Sequence, residues 1–325
     1  MNLKHHMKSI AFILLLATAQ IVNAAQPASA TKKPVAQNAQ AQRIFAAPEE
    51  AATALVEAIR KQDKKSLLAV LGPSSSKWLS SGDQVADQHD REKFLAAYDR
   101  KNSISKADDN KAILLVGDDD WPFPAPIIRK GNGWIFDAAA GREEIINRRV
   151  GRNELDTIQT LLAIVDAQRE YAAEDPDGNG YHDYARRFLS SKGKRDGLYW
   201  PVKAGEPLSP LGPLVAAASR EGYGKKSGGG KSGGKPAAYH GYRYRLLDAQ
   251  GKHAPGGAYS YLVGNKLIGG FAVVAYPARY GVSGIMTFLV DYDGVVYQKD
   301  LGKNTDSIAV AMRSFNPGPG WNKAQ

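Results

Sequence analysis

The last third of the chain carries the pattern that most constrains its fold. Between residues 239 and 298, short runs of aromatic and β-branched residues alternate with turn sequences, such as those at 264–265 and 293–294. Such runs predict strands, and the turn sequences predict hairpins that pair neighbouring strands antiparallel. A twisted antiparallel sheet is therefore expected, closed by a helix over residues 305–315. Thr305 is the expected cap of that helix, and its expected inward side chains are Ile308, Met312 and Phe315.

A long helical segment leads into this sheet. Residues 141–173 have helical spacing, with a break expected at 151–153. Their apolar stripe comprises Leu155, Ile158, Leu162 and Val165. Upstream, a second apolar stripe predicts a helix that begins at Pro48, and a glycine-containing turn predicts a hairpin over residues 125–137.

These elements make the predicted fold α+β. An N-terminal domain, residues 45–150, is expected to combine helices with an antiparallel sheet. A C-terminal domain, residues 151–325, is expected to pack one long helix on an antiparallel sheet. Two domains agree with the length of 325 residues, because a domain typically has ~150 residues. A stretch rich in glycine, serine and lysine at 222–236 is expected to be a flexible loop in the second domain.

The N-terminal residues indicate export. Two lysines precede a short apolar run, and small residues follow at 22–24, so residues 1–24 are expected to be a cleaved signal peptide. Residues 25–44 are rich in alanine, glutamine and proline, and are expected to form a flexible tether. We expect a periplasmic or secreted protein with no transmembrane segment after cleavage.

Composition and motifs exclude several classes of function. The chain contains no cysteine, which excludes disulfides and thiol catalysis. Removing the two lysines of the signal peptide lowers the formal net charge from +10 to +8, and the charges are scattered, so specific nucleic-acid binding is not expected. Serine-nucleophile, dinucleotide-binding and P-loop motifs are absent. The histidines of the mature chain have no metal-ligand spacing and are expected to be solvated side chains: His89, His182, His240 and His253.

The acidic turn at residues 174–184 resembles the start of an EF-hand calcium loop. The ligands that this pattern would supply are Asp175, Asp177, Asn179, Asp183 and the backbone carbonyl of Tyr181. Arg186 replaces the bidentate glutamate of such loops, so calcium binding would be weak, ~0.1 to 1 mM. The alternative is a structural turn whose aspartate and asparagine side chains bond nearby backbone amides. No other cofactor is expected.

A second acidic cluster lies beside Trp121 and two prolines. Its carboxylates are Asp118, Asp119 and Asp120. Clustered acids next to an aromatic residue can form a general acid/base pair or a cation site. A solvated loop between two strands is the alternative interpretation.

The predicted strand at 239–248 alternates two kinds of side chain. Tyr242 and Tyr244 fall on one face, and Arg243 and Arg245 fall on the other. The pattern favours a buried tyrosine face and a solvated arginine face over a surface that stacks bases or sugars.

Several long blocks, taken in order from about residue 45 to 321, resemble the DUF2950 family of bacterial proteins. They include "GDDDWPFP", "RRVGRNEL", "YAAEDPDGNGYHDYA", "KRDGLYWP", "HGYRYRLL" and "GFAVVAYPARYGVSGIMTF". The resemblance implies an exported protein of unknown function and supplies no catalytic residue. The helix at 153–173, the acidic turn and the following sheet are also similar to pilin-like subunits. The chain departs from those subunits because this helix is not at the mature N-terminus and lacks an apolar export stem.

The absence of a complete catalytic set favours a non-catalytic protein that binds a protein or polymer of the cell envelope. One alternative is a periplasmic hydrolase that uses the clustered acids. Another is a calcium-stapled structural or assembly subunit with a pilin-like C-terminal fold. A hydrolase requires acids that converge on a pocket, whereas a binding protein requires an accessible apolar or aromatic surface.

Overall fold

The computed structural model describes residues 41–224 and 237–324. The expected signal peptide, most of the expected tether and residues 225–236 of the predicted glycine-rich loop lie outside the described residues. The described residues form one compact unit. Contacts begin at Gln42, within the stretch predicted as tether, because its side-chain amide donates to the carbonyls of Val70 and Phe136.

Several helices begin at a proline, which has no N–H to satisfy, or after an aspartate that accepts from the first backbone amides. Pro48 is the first residue of its helix, and the carboxylates of Asp63, Asp83 and Asp137 each accept hydrogen bonds from the first turn that follows. The helices are α1 (Pro48–Arg60), α2 (Lys64–Leu71), α3 (Gln84–Arg100), α4 (Ala138–Glu174), α5 (Gly212–Arg220) and α6 (Thr305–Ala311), with short 3-10 helices at Pro73–Lys77 and Gly302–Asn304. In the part of the chain that the structure describes, no helix is both long enough and apolar enough to cross a bilayer.

The N-terminal sheet is antiparallel and packs against α1 and α2. Its strands are β1 (Asn102–Asp108), β2 (Lys111–Val116), β3 (Trp121–Pro122), β4 (Ile127–Lys130) and β5 (Gly133–Phe136). The order is β1-β2-β4-β5, with β3 also paired to β2. The pairing of β4 with β5 confirms the predicted hairpin. A first hydrophobic cluster joins this sheet to the helices through residues such as Leu55, Trp78, Ile127 and Phe136.

Helix α4 runs without interruption through the position where a break was predicted. That prediction is wrong because Gly151 is exposed, with open space where a side chain would lie, so it lowers helix propensity without disturbing the packing. The predicted stripe is also wrong at Leu155, whose side chain is 64% exposed. Ile146 and Val150 of α4 belong to the first cluster, and later residues belong to a second. Helix α4 crosses residue 150, where the division into two domains was expected. That division stays a prediction.

The C-terminal sheet confirms the predicted antiparallel architecture and completes an α+β fold. Its strands are β6 (Tyr242–Leu247), β11 (Ala272–Pro277), β12 (Met286–Asp291), β13 (Tyr297–Asp300) and β14 (Asn322–Lys323), in the order β14-β13-β12-β11-β6. Along the chain, two short pairs of strands come between β6 and β11. They are β7 (Ala249–Gln250) with β8 (Tyr259–Ser260), and β9 (Leu262–Val263) with β10 (Lys266–Leu267). Helix α4 attaches to the sheet at Glu154, whose carboxylate accepts from the backbone N–H groups of Ile285 and Met286.

Helices cover both faces of this sheet, which corrects the interpretation of its arginines. Tyr244 faces α4, where its hydroxyl donates to Thr157 at 3.3 Å. Arg243 and Arg245 were expected in solvent, but Arg243 is only 7% exposed and Arg245 donates to the carbonyl of Ala309 on α6 at 2.8 Å. Strand alternation separates the two faces of a sheet but does not distinguish solvent from a covering helix.

The closing helix is shorter than predicted and differs at its start. Thr305 lies inside α6 and not at its cap, and its hydroxyl donates to the carbonyl of Gly302 at 2.6 Å. Ile308 is 40% exposed and not inward. Phe315 is fully buried and Met312 packs partly against the second cluster, as predicted.

Candidate ligand-binding site

A cavity of about 450 Å³ lies between the N-terminal helices, the β2–β3 region and α4. We term it the apolar cavity, because most of its lining consists of aliphatic and aromatic side chains. They include Leu55 on α1, Leu67 on α2, Phe94 on α3, and Trp78, Trp121 and Phe123. Small-molecule sites commonly have volumes of roughly 300 to 1,000 Å³, so this cavity has the size of a ligand site.

Basic side chains share the lining of the apolar cavity. They are Arg91, Lys93, Arg148, Arg149 and Arg152, and the carboxylates in the lining are Asp87 and Asp90. Five positive groups and two negative groups belong to the lining, and Glu144 outside it pairs with Arg148 at 2.6 Å, which leaves a formal excess of two positive charges. An apolar cavity with such an excess is complementary to a molecule that has both an apolar body and a negative charge.

The two carboxylates of this lining already have partners. Asp87 is buried and accepts hydrogen bonds from the backbone N–H of Ser81 and the hydroxyl of Ser80. Asp90 accepts from Nη2 of Arg152 at 2.9 Å. Lys93 is exposed, and the described residues include no hydrogen-bond or ion-pair partner for its ammonium group. Its charge is therefore available to a ligand.

Arg149 is a partly buried basic residue of the apolar cavity. Its Nη1 donates to the backbone carbonyl of Trp78 at 2.9 Å. Burial lowers the pKa of Arg149, while the charges of Asp87 and Asp90 act in the opposite direction. This cation is therefore poorly solvated beside an apolar wall, a position in which a nearby anion stabilises it.

A smaller cavity of about 210 Å³ adjoins the first and shares Asp90, Lys93 and Arg152 with its lining. We term it the polar cavity. Its remaining polar walls come from His89 on α3, from α4, from the turn after α5 and from the residues before β6. They include Asn153, Asp156, Glu221, Tyr223 and His240.

His240 is held between two carboxylates in the polar cavity, which corrects its interpretation as a solvated side chain. Its Nε2 lies 2.8 Å from Oε2 of Glu221. Its Nδ1 lies 3.3 Å from Oδ2 of Asp156, without the geometry of a hydrogen bond. The backbone of His240 has a left-handed φ of +50°, and its ring stacks on Tyr239 with centroids 4.1 Å apart.

A buried aspartate fixes the residues around His240. Asp83, at the start of α3, accepts from the hydroxyl of Tyr223 at 2.8 Å and from the backbone N–H of Gly241 at 2.9 Å. Burial, together with the charge of Asp83, raises the pKa of Tyr223 above its usual range. Tyr223 falls in the predicted flexible loop, yet it is half-buried and tied to α3. The polar cavity is consequently built from four separate parts of the sequence.

The clustered acids of "GDDDWPFP" lie outside both cavities. Asp118 pairs with Arg100 at 3.1 Å and Asp120 pairs with Lys101 at 2.8 Å, and all three carboxylates of the cluster, Asp119 included, are exposed. The aromatic residues of the same motif, Trp121 and Phe123, are the ones that line the apolar cavity.

The acidic turn is closed by its own backbone amides. Asp175 ends α4 in a left-handed conformation, and its carboxylate accepts from the N–H groups of Gly180 and Asn179, at 2.9 and 3.0 Å. These bonds lower the pKa of Asp175. The side-chain amide of Asn179 donates to Asp177 at 2.6 Å and to Asp183 at 2.9 Å. The arrangement is that of the structural turn described above.

Calcium binding at this turn stays a prediction. The predicted calcium ligand at Asn179 is its side-chain oxygen Oδ1. In this structure, Oδ1 accepts from the backbone N–H of Tyr181. Lys266 places its ammonium 3.9 Å from Asp183 and 4.5 Å from the ring centre of Tyr181. Among residues 41–224 and 237–324, no set of three or more histidine, aspartate or glutamate side chains has metal-holding geometry.

Sequence reasoning missed the element that both cavities share. Helix α3 supplies Asp90 and Lys93, but the sequence from residue 84 to 100 has no continuous apolar stripe, so no helix was predicted there. Its start was detectable, because Asp83 is a favourable N-cap residue and accepts from the N–H groups of Val85 and Ala86. A helix that borders a charged cavity carries polar residues on its inward side, which removes the usual periodic pattern.

Comparison with known proteins gives one match. A family model described as a protein of unknown function (DUF2950) matches residues 42–324. No curated protein matches the chain, and no solved structure matches it.

Proposed function

The chain belongs to the DUF2950 family of proteins of unknown function, and we propose that it is a non-catalytic, exported binding protein. Its proposed ligand is a small amphiphile with an apolar tail and an anionic group. The observation that carries this proposal is the apolar cavity lined by five basic side chains. The export pattern at residues 1–24 supports a periplasmic location.

Burial of the tail supplies part of the affinity. Each methylene removed from water contributes about 0.8 kcal/mol, so ten methylenes contribute about 8 kcal/mol before any cost is subtracted. Loss of translational and rotational freedom costs at least ~4 kcal/mol, which leaves an affinity weaker than micromolar from the tail alone. The charged group therefore has to contribute for the complex to be tight.

The basic residues supply that contribution. Lys93 has a free ammonium group at the wall common to both cavities, and Arg149 is a poorly solvated cation beside the apolar side chains. An anionic group near these residues would replace water that Arg149 lacks, and it would meet no unpaired carboxylate at Asp87 or Asp90. A neutral or cationic amphiphile would gain neither interaction.

The hydrolase alternative receives less support from the same geometry. The acids on which it depends, Asp118, Asp119, Asp120, Asp175 and Asp177, line neither cavity. The proposal for a binding protein depends on residues that do line a cavity.

Isothermal titration with tetradecanoate tests the proposal. Leu67 lines the apolar cavity, so Leu67→Trp should fill part of it and weaken binding at least tenfold. Leu155→Trp is the matched control, because Leu155 is 64% exposed and lines neither cavity. Loss of binding in Leu67→Trp alone is the expected result. Equal binding by both variants, or no binding by the parent protein, would overturn the proposal.

A further inference from the structure

We propose that the head group of this ligand extends into the polar cavity and ends in a cationic group, so that the ligand is a single-tailed zwitterion. The inference rests on the proposed function, because the tail has to occupy the apolar cavity first. It adds the chemical class of the head group, which the apolar cavity alone does not determine.

The first step is that the two cavities are adjacent. Asp90, Lys93 and Arg152 line both of them. A ligand whose tail fills the apolar cavity and whose anionic group lies at Lys93 is therefore already beside the polar cavity. Any group attached beyond the anion meets the walls of the polar cavity.

The second step is the separation of charge along this path. The shared wall contains the cation Lys93, unpaired among the described residues, and the ion pair of Arg152 with Asp90, whereas the carboxylates of Asp156 and Glu221 line only the polar cavity. These two carboxylates flank one imidazole, that of His240. Even with His240 protonated, two negative charges face one positive charge. A cation followed by surplus carboxylates is complementary to an anion followed by a cation.

The third step is the presence of aromatic rings beside those carboxylates. Tyr223 and His240 line the polar cavity, and Tyr239 stacks behind His240. Aromatic faces next to carboxylates bind organic ammonium groups, through cation–π attraction together with ion pairing. The bonds from Asp83 to Tyr223 and Gly241 hold this wall in place before a ligand arrives, which lowers the entropic cost of binding.

An organic cation fits this wall better than a metal ion does. Asp156 and Glu221 lie at the two opposite nitrogens of the His240 ring, so their oxygens do not converge with it on one point. The described residues contain no metal-holding set of side chains at this position.

Three probes with the same tail, titrated below their micelle concentrations, test the inference. Tetradecanoyl lysophosphatidylethanolamine carries an anion and a terminal ammonium, tetradecanoyl lysophosphatidic acid lacks the ammonium, and tetradecanoate has a carboxylate alone. The variant is Asp156→Asn/Glu221→Gln, which keeps side-chain volume and removes both charges. The matched control is Asp119→Asn/Glu174→Gln, which removes two exposed carboxylates that line neither cavity.

We expect the variant to bind lysophosphatidylethanolamine at least fivefold more weakly, with lysophosphatidic acid and tetradecanoate bound as well as or better than by the parent. The control should bind all three probes as the parent does. Retained tetradecanoate binding shows that the variant is folded. Unchanged affinity of the variant for lysophosphatidylethanolamine would overturn the zwitterion inference and leave the proposed function standing. Failure of the parent to bind any probe would overturn both.

Discussion

The guanidinium of Arg149 donates from Nη1 to the backbone carbonyl of Trp78, 2.9 Å away. This bond joins the middle of α4 to the segment after the first 3-10 helix, and both residues line the apolar cavity. One side chain thus closes the wall of the cavity and places a positive charge in it. We therefore expect stability and ligand binding to be coupled at this position.

Arg149→Met removes the hydrogen-bond donor and the positive charge but keeps a long apolar side chain. Its effects therefore do not come from a large loss of side-chain volume. We expect the free energy of unfolding to fall by about 1–2 kcal/mol, since a charged hydrogen bond to a buried carbonyl is lost. We also expect tetradecanoate to bind about tenfold more weakly. Urea unfolding and calorimetric titration measure the two effects. Arg142→Met, at an exposed position of the same helix, is the control. Undiminished binding by Arg149→Met would show that this cation does not meet the ligand.

The fold was largely predictable wherever one physical pattern acts alone. The hairpin of β4 and β5 and the strands of the C-terminal sheet follow from β-branched residues and turn sequences. The predictions were wrong where a second element covers a face that the sequence pattern alone would leave in solvent. Arg243 and Arg245 alternate as solvated residues do, but α6 covers their face and its backbone carbonyls accept from Arg245.

The candidate site was much less predictable than the fold. Its residues come from distant parts of the sequence, and no local spacing relates Arg149 to Phe94 or Asp83 to His240. The motif "GDDDWPFP" suggests a site formed by its acids, yet Trp121 and Phe123 are the members that line a cavity. His240 gave no motif at all, because its two carboxylate neighbours are contributed by α4 and by the turn after α5.

Asp291 is expected to make stability depend on pH. It is 3% exposed, and burial, with a smaller effect of the Asp293 charge, raises its pKa to about 6. An unfolded aspartate titrates near ~3.9, so the folded chain holds this proton more tightly than the unfolded chain does. The protonated carboxyl of Asp291 therefore favours the folded state fully below about pH 4, and this contribution to the free energy of unfolding is lost as the pH rises to about 6.

Asp291→Asn removes this dependence. We expect the variant to gain about 2–3 kcal/mol relative to the parent between pH 4 and pH 7, because the parent alone has to bury an ionised carboxylate at the higher pH. Urea unfolding at a series of pH values measures the difference. Asp109→Asn, at an exposed turn, should run parallel to the parent. A constant difference between Asp291→Asn and the parent at every pH would contradict this expectation.

The turn at residues 174–184 is expected to be stable through its own hydrogen bonds. Asp175→Ala removes the acceptor of the Gly180 and Asn179 amides, so we expect a lower Tm that is the same in 1 mM calcium and in EDTA. Asp119→Ala, at an exposed carboxylate, is the control. A calcium-specific rise in the Tm of the parent that Asp175→Ala lacks would instead support the calcium ligands predicted from the sequence.

The most direct test of an anion-binding apolar cavity compares two amphiphiles with similar tails and head groups of opposite charge. Tetradecanoate and tetradecyltrimethylammonium are titrated, at low salt, into the parent, Lys93→Glu and Lys106→Glu. Lys106 is exposed on β1 and lines neither cavity. An exposed ion pair contributes up to about 1 kcal/mol, so reversing the charge at Lys93 should lower the preference for tetradecanoate about fivefold to tenfold. We predict that the parent and Lys106→Glu prefer the anion and that Lys93→Glu loses most of that preference. Equal binding of the two tails by the parent protein would contradict the account.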